Sequence, residues 1–279
     1  MSSPAPTSGP PRILTIAGSD SSGGAGIQAD LKTIAMLGGY GMSAITAITA
    51  QNTVGVHAVE TLEADFVMAQ VDACLDDIGA DGIKIGMLGS PAIAHALAVR
   101  LDIFAGPIVF DPVMIATSGA ALADEATIAG FAELMAIATV VTPNIPELAA
   151  LTGRESLPED GIVEAGLDLA ARHDVMVLAK GGHAETGDQV LDRVLAPSGR
   201  IASFGHARLD TRHTHGTGCT LSAALATMLA HRLPLTDAVR MARAFTFAAI
   251  ENAPGFGAGN GPLGHQAVRR LAEPDRQPG

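Results

Sequence analysis

The chain has 279 residues, of which 48% are hydrophobic, 16% are charged and 3% are aromatic, a composition typical of a folded globular protein. Its 17 Lys and Arg residues against 29 Asp and Glu residues give a formal charge of −12. This balance argues against a nucleic-acid or anionic-membrane binder, because both need a basic face. Two cysteines cannot form a disulfide framework, so we expect a reducing compartment, the cytoplasm.

Short β-branched runs alternate with amphipathic stretches along the chain. The predicted order is strand 12–17, loop 18–24, helix 26–37, strand 42–49, helix 65–78, strand 82–85, helix 91–104, strand 107–110, helix 125–137, strand 139–141, helices 146–151 and 158–173, strand 175–179, a hairpin of strands 189–196 and 200–206, and helices 216–230 and 235–252. Strands that alternate with helices are typical of βαβ units, so we expect an α/β protein with a mostly parallel central sheet.

No linker rich in Pro, Gly or Ser divides these elements. We therefore expect one domain over residues 12–271, with polar tails at 1–11 and 272–279. The most apolar stretch, residues 34–50, is interrupted by glycines and threonines, so no transmembrane helix is expected.

Polar and glycine-rich segments follow the predicted strands. In open α/β sheets, ligands bind at the carboxyl ends of the strands, so these segments are expected to meet there. Those that follow strands are residues 18–24, 51–52, 86–87, 111–114, 142–147 and 180–183, and a seventh segment, 214–219, precedes the penultimate predicted helix. Ordinary turn chemistry explains any single segment, but it is a poor explanation for seven at one edge.

The residues His215-Gly216-Thr217-Gly218-Cys219 open a predicted helix. Helix N-termini carry unpaired N–H groups and partial positive charge, and glycine lets an anion approach the backbone. The pattern is therefore typical of a site for a transferring phosphoryl group, and we expect the helix field to lower the pKa of Cys219. A glycine turn with a small buried cysteine is the open alternative.

Residues for a nucleotide and a metal follow other strands. No Gly-Lys pair occurs, which excludes a Walker-type NTPase, but Lys180 can offer a point charge to nucleotide phosphates. Asp111, Asn144 and Glu147 supply oxygen ligands suited to a hydrated magnesium ion. The alternatives are a helix N-cap for Asn144 and a turn residue before a proline for Asp111.

Two other classes of enzyme have weaker signals. Residues 259–264 and 24–29 resemble the glycine pattern of dinucleotide-binding folds, but the first contains a proline and the second follows too long a loop. Cys219 has His213 and His215 nearby in the sequence, which is compatible with a thiol hydrolase or acyltransferase. No zinc-type ligand spacing accompanies the two histidines.

Residues 15–33 read TIAGSDSSGGAGIQADLKT, which closely resembles the opening signature of the bacterial hydroxymethylpyrimidine/phosphomethylpyrimidine kinase family. Further motifs follow in the family's order over residues 51–53, 84–88, 111–114, 142–147, 180–183 and 214–224. The resemblance covers about residues 13–249. The first and last motifs are specific to this family, whereas the Asn-x-x-Glu and Gly-Thr-Gly elements occur across the ribokinase-like superfamily.

The resemblance implies a ribokinase-like three-layer α/β/α fold and a homodimer. It implies two phosphorylations in thiamine biosynthesis with ATP and Mg²⁺ as cofactors. The first is on 4-amino-5-hydroxymethyl-2-methylpyrimidine, and the second on its monophosphate. The implied partner is thus a small-molecule pyrimidine.

The resemblance also assigns roles to individual residues. The implied pyrimidine pocket comprises Gly18, Asp30, Gln51, Met87 and Val113, in which the amide of Gln51 can donate to and accept from an aminopyrimidine. The implied metal ligands are Asp111 and Glu147, and the nucleotide contacts are Lys180, Asn144 and Thr214. The implied catalytic group comprises Gly216, Thr217, Gly218 and Cys219.

Cys219 stands where most ribokinase-like sugar kinases carry Asp. We expect it to accept the hydroxyl proton in the first phosphorylation. The second needs no base, because a phosphate nucleophile is already ionised near neutral pH.

Thr117, in the segment after Asp111-Pro112-Val113-Met114, occupies a position where many family members place Lys. The resemblance therefore does not imply a lysine contact to phosphate from this segment. Pyridoxal/pyridoxine kinase is the alternative within kinases. The alternatives outside kinases are a Cys-dependent hydrolase or acyltransferase and a binding-only relative with a decayed site.

Overall fold

A nine-stranded sheet is the centre of the computed structural model, which describes residues 9–115, 119, 122–183 and 189–268. Its strands are β1 (Arg12–Asp20), β2 (Tyr40–Gln51), β3 (Val56–Thr61), β4 (Gly82–Ile85), β5 (Ile108–Phe110), β6 (Val140–Val141), β7 (Met176–Ala179), β8 (Gln189–Ala196) and β9 (Gly199–Ala207). The helices are α1 (Gly26–Met36), α2 (Ala64–Asp77), α3 (Pro91–Leu101), α4 (Glu125–Ile137), α5 (Ile145–Leu151), α6 (Gly161–His173), α7 (Thr217–Ala230) and α8 (Leu235–Glu251).

The strand order is β3-β2-β1-β4-β5-β6-β7-β8-β9. The six central strands are parallel to one another, namely β2, β1, β4, β5, β6 and β7. The remaining strands, β3, β8 and β9, are antiparallel to their neighbours. The chain leaves β1 for β2 on one side and later returns to β4 on the other. β1 and β4 therefore flank a topological switch point, where ligands bind in such sheets.

Two hydrophobic cores lie on opposite faces of the sheet. Alternate strand residues point to opposite faces, so Val109 and Val140 pack with α1, α7 and α8, whereas Phe110 and Val141 pack with helices α2 to α6. This arrangement confirms the predicted three-layer α/β/α architecture with a mostly parallel sheet. No helix among the described residues is long and apolar enough to cross a membrane.

Two differences from the predicted elements matter for the site. β3 was not predicted, because Val56–Thr61 is almost wholly exposed and lacks a buried alternating face. β1 extends to Asp20, beyond the predicted end at residue 17, with an irregularity in its pairing to β2 between Ala17 and Ser19. The extension carries Gly18 and Asp20 within the strand, where a loop was expected.

Other predicted elements are found with ends shifted by a few residues. α3 begins as predicted, because the hydroxyl of Ser90 accepts the N–H of Ala92 and a proline follows the cap. The carboxylate of Asp124 caps α4 in the same way. The division into one domain and two tails stays a prediction, and much of both predicted tails lies outside the described residues.

The aromatic pair Phe110–Phe131 offers a test of the larger core. The two rings stack edge to face with centroids 5.1 Å apart, and both are buried. We expect Phe131→Ala to lower the free energy of unfolding by about 3–5 kcal/mol, because it leaves a cavity that the sheet cannot fill. Urea denaturation measures the change. Phe66→Ala is the matched control, since Phe66 is 60% exposed on α2 and its loss should stay within about 0.5 kcal/mol. Equal losses in the two variants would contradict this account of the core.

Candidate active site

Polar side chains from three parallel strands meet at the carboxyl edge of the sheet. Asp111 directly follows β5, Thr142 follows β6 and Lys180 follows β7. The ammonium group of Lys180 donates to Oδ1 of Asp111 at 2.8 Å and lies 3.7 Å from Oε2 of Glu147. The hydroxyl of Thr142 donates to the same Asp111 oxygen at 3.0 Å. The structure therefore brings together three residues that were predicted to bind the nucleotide and metal.

Burial and charge set the protonation of this cluster. Burial opposes ionisation of Asp111, but the cations of Lys180 and Lys84 outweigh it and hold the pKa of its carboxyl below the usual range. Burial also disfavours the ammonium form of Lys180, yet the carboxylates of Asp111 and Glu147 raise its pKa. Burial raises the pKa of Glu147 to about 7 against the opposing charge of Lys180. The Lys180–Asp111 ion pair is therefore maintained at neutral pH.

Asn144 and Glu147 form a capping box at the start of α5. The N–H of Glu147 donates to the Asn144 side chain at 2.8 Å, and the N–H of Asn144 donates to Oε2 of Glu147 at 2.7 Å. The N-cap role considered for Asn144 is thus confirmed. Because the same Glu147 oxygen lies near Lys180, the box also fixes a carboxylate inside the site.

The first turn of α7 faces the cluster. A Cβ atom on Gly218 would lie 3.4 Å from Nζ of Lys180 and 3.5 Å from Oδ2 of Asp111. The N–H groups of Gly218 and Cys219 lie in this turn, where a helix provides no acceptor. The hydroxyl of Thr217 donates to the carbonyl of Thr214 at 2.7 Å and braces the turn. The helix N-terminus and Lys180 together form a favourable place for an anion.

Gly216 precedes this helix with a φ of +85°, in the left-handed region. A Cβ atom there would overlap the carbonyl oxygen of Gly24, in the turn between β1 and α1. The predicted turn chemistry at Gly216 is therefore confirmed. Both glycines allow two loops from distant parts of the chain to touch through their backbones.

Cys219 lies in the first turn of α7, but its pKa moves opposite to the prediction. Burial raises the pKa of the thiol to about 11, and the nearby cation of Lys84 opposes this rise only in part. The predicted lowering by the helix field is wrong, because loss of solvation outweighs the positive charges around the sulfur. The thiol therefore keeps its proton at neutral pH.

A second buried ion pair joins β4 to α1. Nζ of Lys84 donates to Oδ2 of Asp30 at 2.8 Å, and neither side chain has exposed surface. The hydroxyl of Thr15 donates to the same oxygen at 2.6 Å, whereas Oδ1 of Asp30 has no partner within the described ranges. Asp30, which the family resemblance assigns to the pyrimidine pocket, is thus a fully buried partner of Lys84.

The other residues assigned to the pyrimidine pocket lie at the carboxyl ends of neighbouring strands, Gly18 on β1, Gln51 at the end of β2, Met87 after β4 and Val113 after β5. Gly18 contacts the end of the Met87 side chain so closely that a Cβ atom would overlap it. The side-chain nitrogen of Gln51 lies 3.4 Å from Nε2 of His215. The N–H of Val113 donates to the carbonyl of Asp111 at 2.8 Å. The set therefore connects the switch point with the Asp111 cluster.

Asp20 and His215 form a buried pair that the sequence did not indicate. Nε2 of His215 lies 2.9 Å from Oδ2 of Asp20, and the N–H groups of Gly24 and Ala25 donate to that same oxygen. Burial raises the pKa of Asp20, but these bonds and those from Ser22 outweigh it and lower the pKa to about 2. The Asp-Ser-Ser-Gly-Gly run signals a side-chain-stabilised turn, but nothing signals the partner 195 residues later.

The geometry does not support a cysteine–histidine enzyme. His215 pairs with Asp20, and Nδ1 of His213 is buried without a partner among the described residues. Among the residues that the structure describes, no hydrogen bond joins Cys219 to a histidine. The raised pKa of the thiol also makes it a poor nucleophile. The described residues also contain no group of three His, Cys, Asp or Glu side chains placed to hold a metal. Thr117 lies outside the described residues.

Lys84 is the charged residue that the sequence analysis left without a role. Its signal was a lysine inside the otherwise apolar strand Gly82–Ile85, since a buried ammonium group requires a carboxylate partner. The partner is 54 residues earlier, on a helix, and the sequence alone does not identify it.

Comparison with known proteins gives the same assignment as the family resemblance. A family model described as phosphomethylpyrimidine kinase matches residues 20–264. The hydroxymethylpyrimidine/phosphomethylpyrimidine kinase of Haemophilus influenzae is 45% identical over 264 residues, which cover 93% of this chain and 98% of that protein. The thiamine biosynthesis multifunctional protein ThiED of Corynebacterium efficiens is 43% identical over 264 residues, but the match spans only 36% of its length.

A solved structure supports the fold. The pyridoxal kinase of Staphylococcus aureus in complex with ADP has a TM-score of 0.86 and 33% sequence identity, covering 94% of this chain and 96% of that one. The ribokinase-like fold and the phosphotransferase class expected from the sequence are thereby confirmed. The extent of the family match and the identity to full-length relatives show that this chain belongs to the phosphomethylpyrimidine kinase family.

Proposed function

We propose that this chain uses ATP to phosphorylate the hydroxymethyl group of 4-amino-5-hydroxymethyl-2-methylpyrimidine and then the resulting monophosphate, in thiamine biosynthesis. The observation that carries the proposal is the Lys180–Asp111 pair facing the first turn of α7. A buried cation and a helix N-terminus at one place favour the negative charge of a transferring phosphoryl group. Gly18 on β1 and Met87 in the segment after β4 are in contact, and the family resemblance assigns both to the aromatic acceptor.

Individual residues have separate tasks in this reaction. Lys180 binds nucleotide phosphate oxygens, with Asn144 and Thr214 on the nucleotide side. The N–H groups of Gly216 to Cys219 orient the transferring group. Preorganised donors of this kind stabilise developing charge without reorganising during the reaction.

The two carboxylates of the cluster suit Mg²⁺, which binds proteins through one or two carboxylates and otherwise through water and phosphate. The hydroxyl of Ser222 donates to Oδ2 of Asp111 at the long distance of 3.3 Å, and Glu147 provides the second carboxylate. These two residues would hold the ion. When bound, Mg²⁺ supplies positive charge to the phosphates.

Cys219 acts on the acceptor in this proposal. In the first phosphorylation it takes up the proton of the substrate hydroxyl, which requires the thiolate form. Because the resting thiol has a pKa of about 11, the thiolate fraction rises with pH throughout the neutral range. In the second phosphorylation the acceptor is a phosphate that is already ionised, so no base is needed.

We further propose a cytoplasmic homodimer. Both cysteines are free thiols, as expected in a reducing compartment. The β2–β3 end of the sheet exposes Ile48, Val54 and Val59, an apolar surface suited to a second copy.

The substrate assignment is tested by ADP release from Mg-ATP with three separate acceptors. We expect turnover with the hydroxymethylpyrimidine and with its monophosphate. Pyridoxal is the third acceptor, because the pyridoxal kinase of Staphylococcus aureus has the same fold. Turnover with pyridoxal alone would overturn the substrate assignment. No turnover with any of the three, using folded protein, would overturn the kinase proposal itself.

The role of Cys219 is tested by Cys219→Ala in separate assays of the two steps. We expect the first step to slow on the order of a hundredfold, as for loss of a general base, and the second to slow much less. In the unchanged protein, the first rate should rise with pH between about pH 7 and 9, and this rise should disappear in the variant.

Cys74→Ala is the matched control, because Cys74 lies on α2 and packs against the larger core. It should leave both rates and the pH profile unchanged. Equal slowing of the two steps by Cys219→Ala would refute the base role and leave a role in the anion site or in packing.

A further inference from the structure

The residue after Lys180 is held by a buried carboxylate on another strand. The N–H of Gly181 donates to Oδ1 of Asp192, on β8, at 2.8 Å. Gly181 also lies so close to the backbone of Leu191 that a Cβ atom would overlap it. The N–H of Lys180 donates in turn to the carbonyl of Pro143 at 2.9 Å. The backbone of Lys180 is therefore fixed on both sides.

Asp192 depends on a cation from α8. Its other oxygen, Oδ2, accepts Nε of Arg243 at 2.6 Å, and the two side chains are only 7% and 11% exposed. Arg243 and the N–H of Gly181 thus each hold one oxygen of the same carboxylate, so the guanidinium fixes the orientation in which Asp192 accepts from Gly181.

Arg243 is itself locked in place. Its guanidinium carbon lies 5.5 Å from the ring centre of Phe204, which is paired with Asp192 on the adjacent strand β9. Its Nη2 atom is buried and has no hydrogen-bond partner among the described residues. The contact with Phe204 and the bond to Asp192 together hold the guanidinium in one orientation.

We propose that Arg243 is a positioning residue for ATP. Through Asp192 and Gly181 it fixes the position of Lys180, whose ammonium group lies at the proposed phosphate site. This inference rests on the proposed function, since it concerns the nucleotide that Lys180 binds. The chain Arg243–Asp192–Gly181–Lys180 connects α8 to the carboxyl end of β7 without touching the acceptor pocket. Loss of Arg243 should therefore weaken the binding of ATP and leave the binding of the pyrimidine unchanged.

Arg243→Met tests this chain by removing the cation and keeping an apolar stem over Phe204. We expect KM for ATP and the Kd for Mg-ADP, measured by calorimetry, to rise at least about fivefold, because small displacements of a phosphate-binding group weaken binding strongly. The KM for the pyrimidine should change less than about twofold. Arg240→Met is the matched control, since Arg240 lies on the same helix and, within the described part of the chain, forms its ion pair with the half-exposed Asp237. The Arg240→Met variant should have the same KM for ATP, Kd for Mg-ADP and KM for the pyrimidine as the unchanged protein.

Arg243→Lys is the second variant, because it keeps the charge and is easier to accommodate if Arg243→Met does not fold. Its KM for ATP should lie between those of the unchanged protein and the methionine variant. An unchanged KM and Kd in both variants would overturn the inference. So would a fall in kcat alone that follows the fraction of folded protein, which indicates a purely structural role. Turnover by the unchanged protein in the same assay tests the proposed function separately.

Discussion

The backbone contact between Gly24 and Gly216 is the constraint on which the site depends. Gly216 has a positive φ and leaves no room for a Cβ atom against the carbonyl oxygen of Gly24, so only glycine meets both conditions. The contact joins the turn after β1 to the start of α7, which the proposed function assigns to the acceptor and to the phosphoryl group respectively. The Asp20–His215 bond crosses the same junction and ties the side chains as well. This junction holds the residues around Gly18, on β1, next to those around Gly218, on α7.

Two buried lysines determine the electrostatics at this junction. Lys84 is paired with Asp30 and Lys180 with Asp111, and the charges of both lysines act on Asp111 and favour its ionised form. Each cation is stable in the interior only because a carboxylate accompanies it. The paired carboxylates offset the burial of the lysines, and the N-terminus of α7 adds partial positive charge at the same place. In the proposed reaction, a phosphoryl group would meet donors that are already in position, which is the arrangement that favours transfer.

The sequence was sufficient for local features and insufficient for long-range pairing. Strand and helix periods predicted the mostly parallel sheet and the edge at which Asp111, Lys180 and Gly218 meet, because these patterns depend on residues that are near in sequence, whereas the three-layer architecture was expected from the family resemblance. β3 was missed because its exposed residues carry no hydrophobic alternation. The pKa of Cys219 was predicted from its helix position alone, whereas burial by distant segments decides it. The same limit applies to Arg243, since its partner Asp192 is 51 residues away.

The two phosphorylations proposed here make different electrostatic demands on one residue. The first acceptor is a neutral alcohol, for which a proton acceptor is useful. The second is a phosphate that carries negative charge near neutral pH, and a permanent anion beside it would repel it. Most ribokinase-like sugar kinases carry an aspartate where this chain has Cys219. An aspartate there would be ionised at neutral pH unless its pKa were strongly raised. Cys219 is neutral at rest, because burial raises its pKa to about 11, so it adds no negative charge that would repel the second acceptor. A cysteine that is neutral at rest, and that accepts the proton of the first acceptor through its minor thiolate form, is therefore compatible with both steps, whereas a permanently ionised carboxylate would repel the second acceptor.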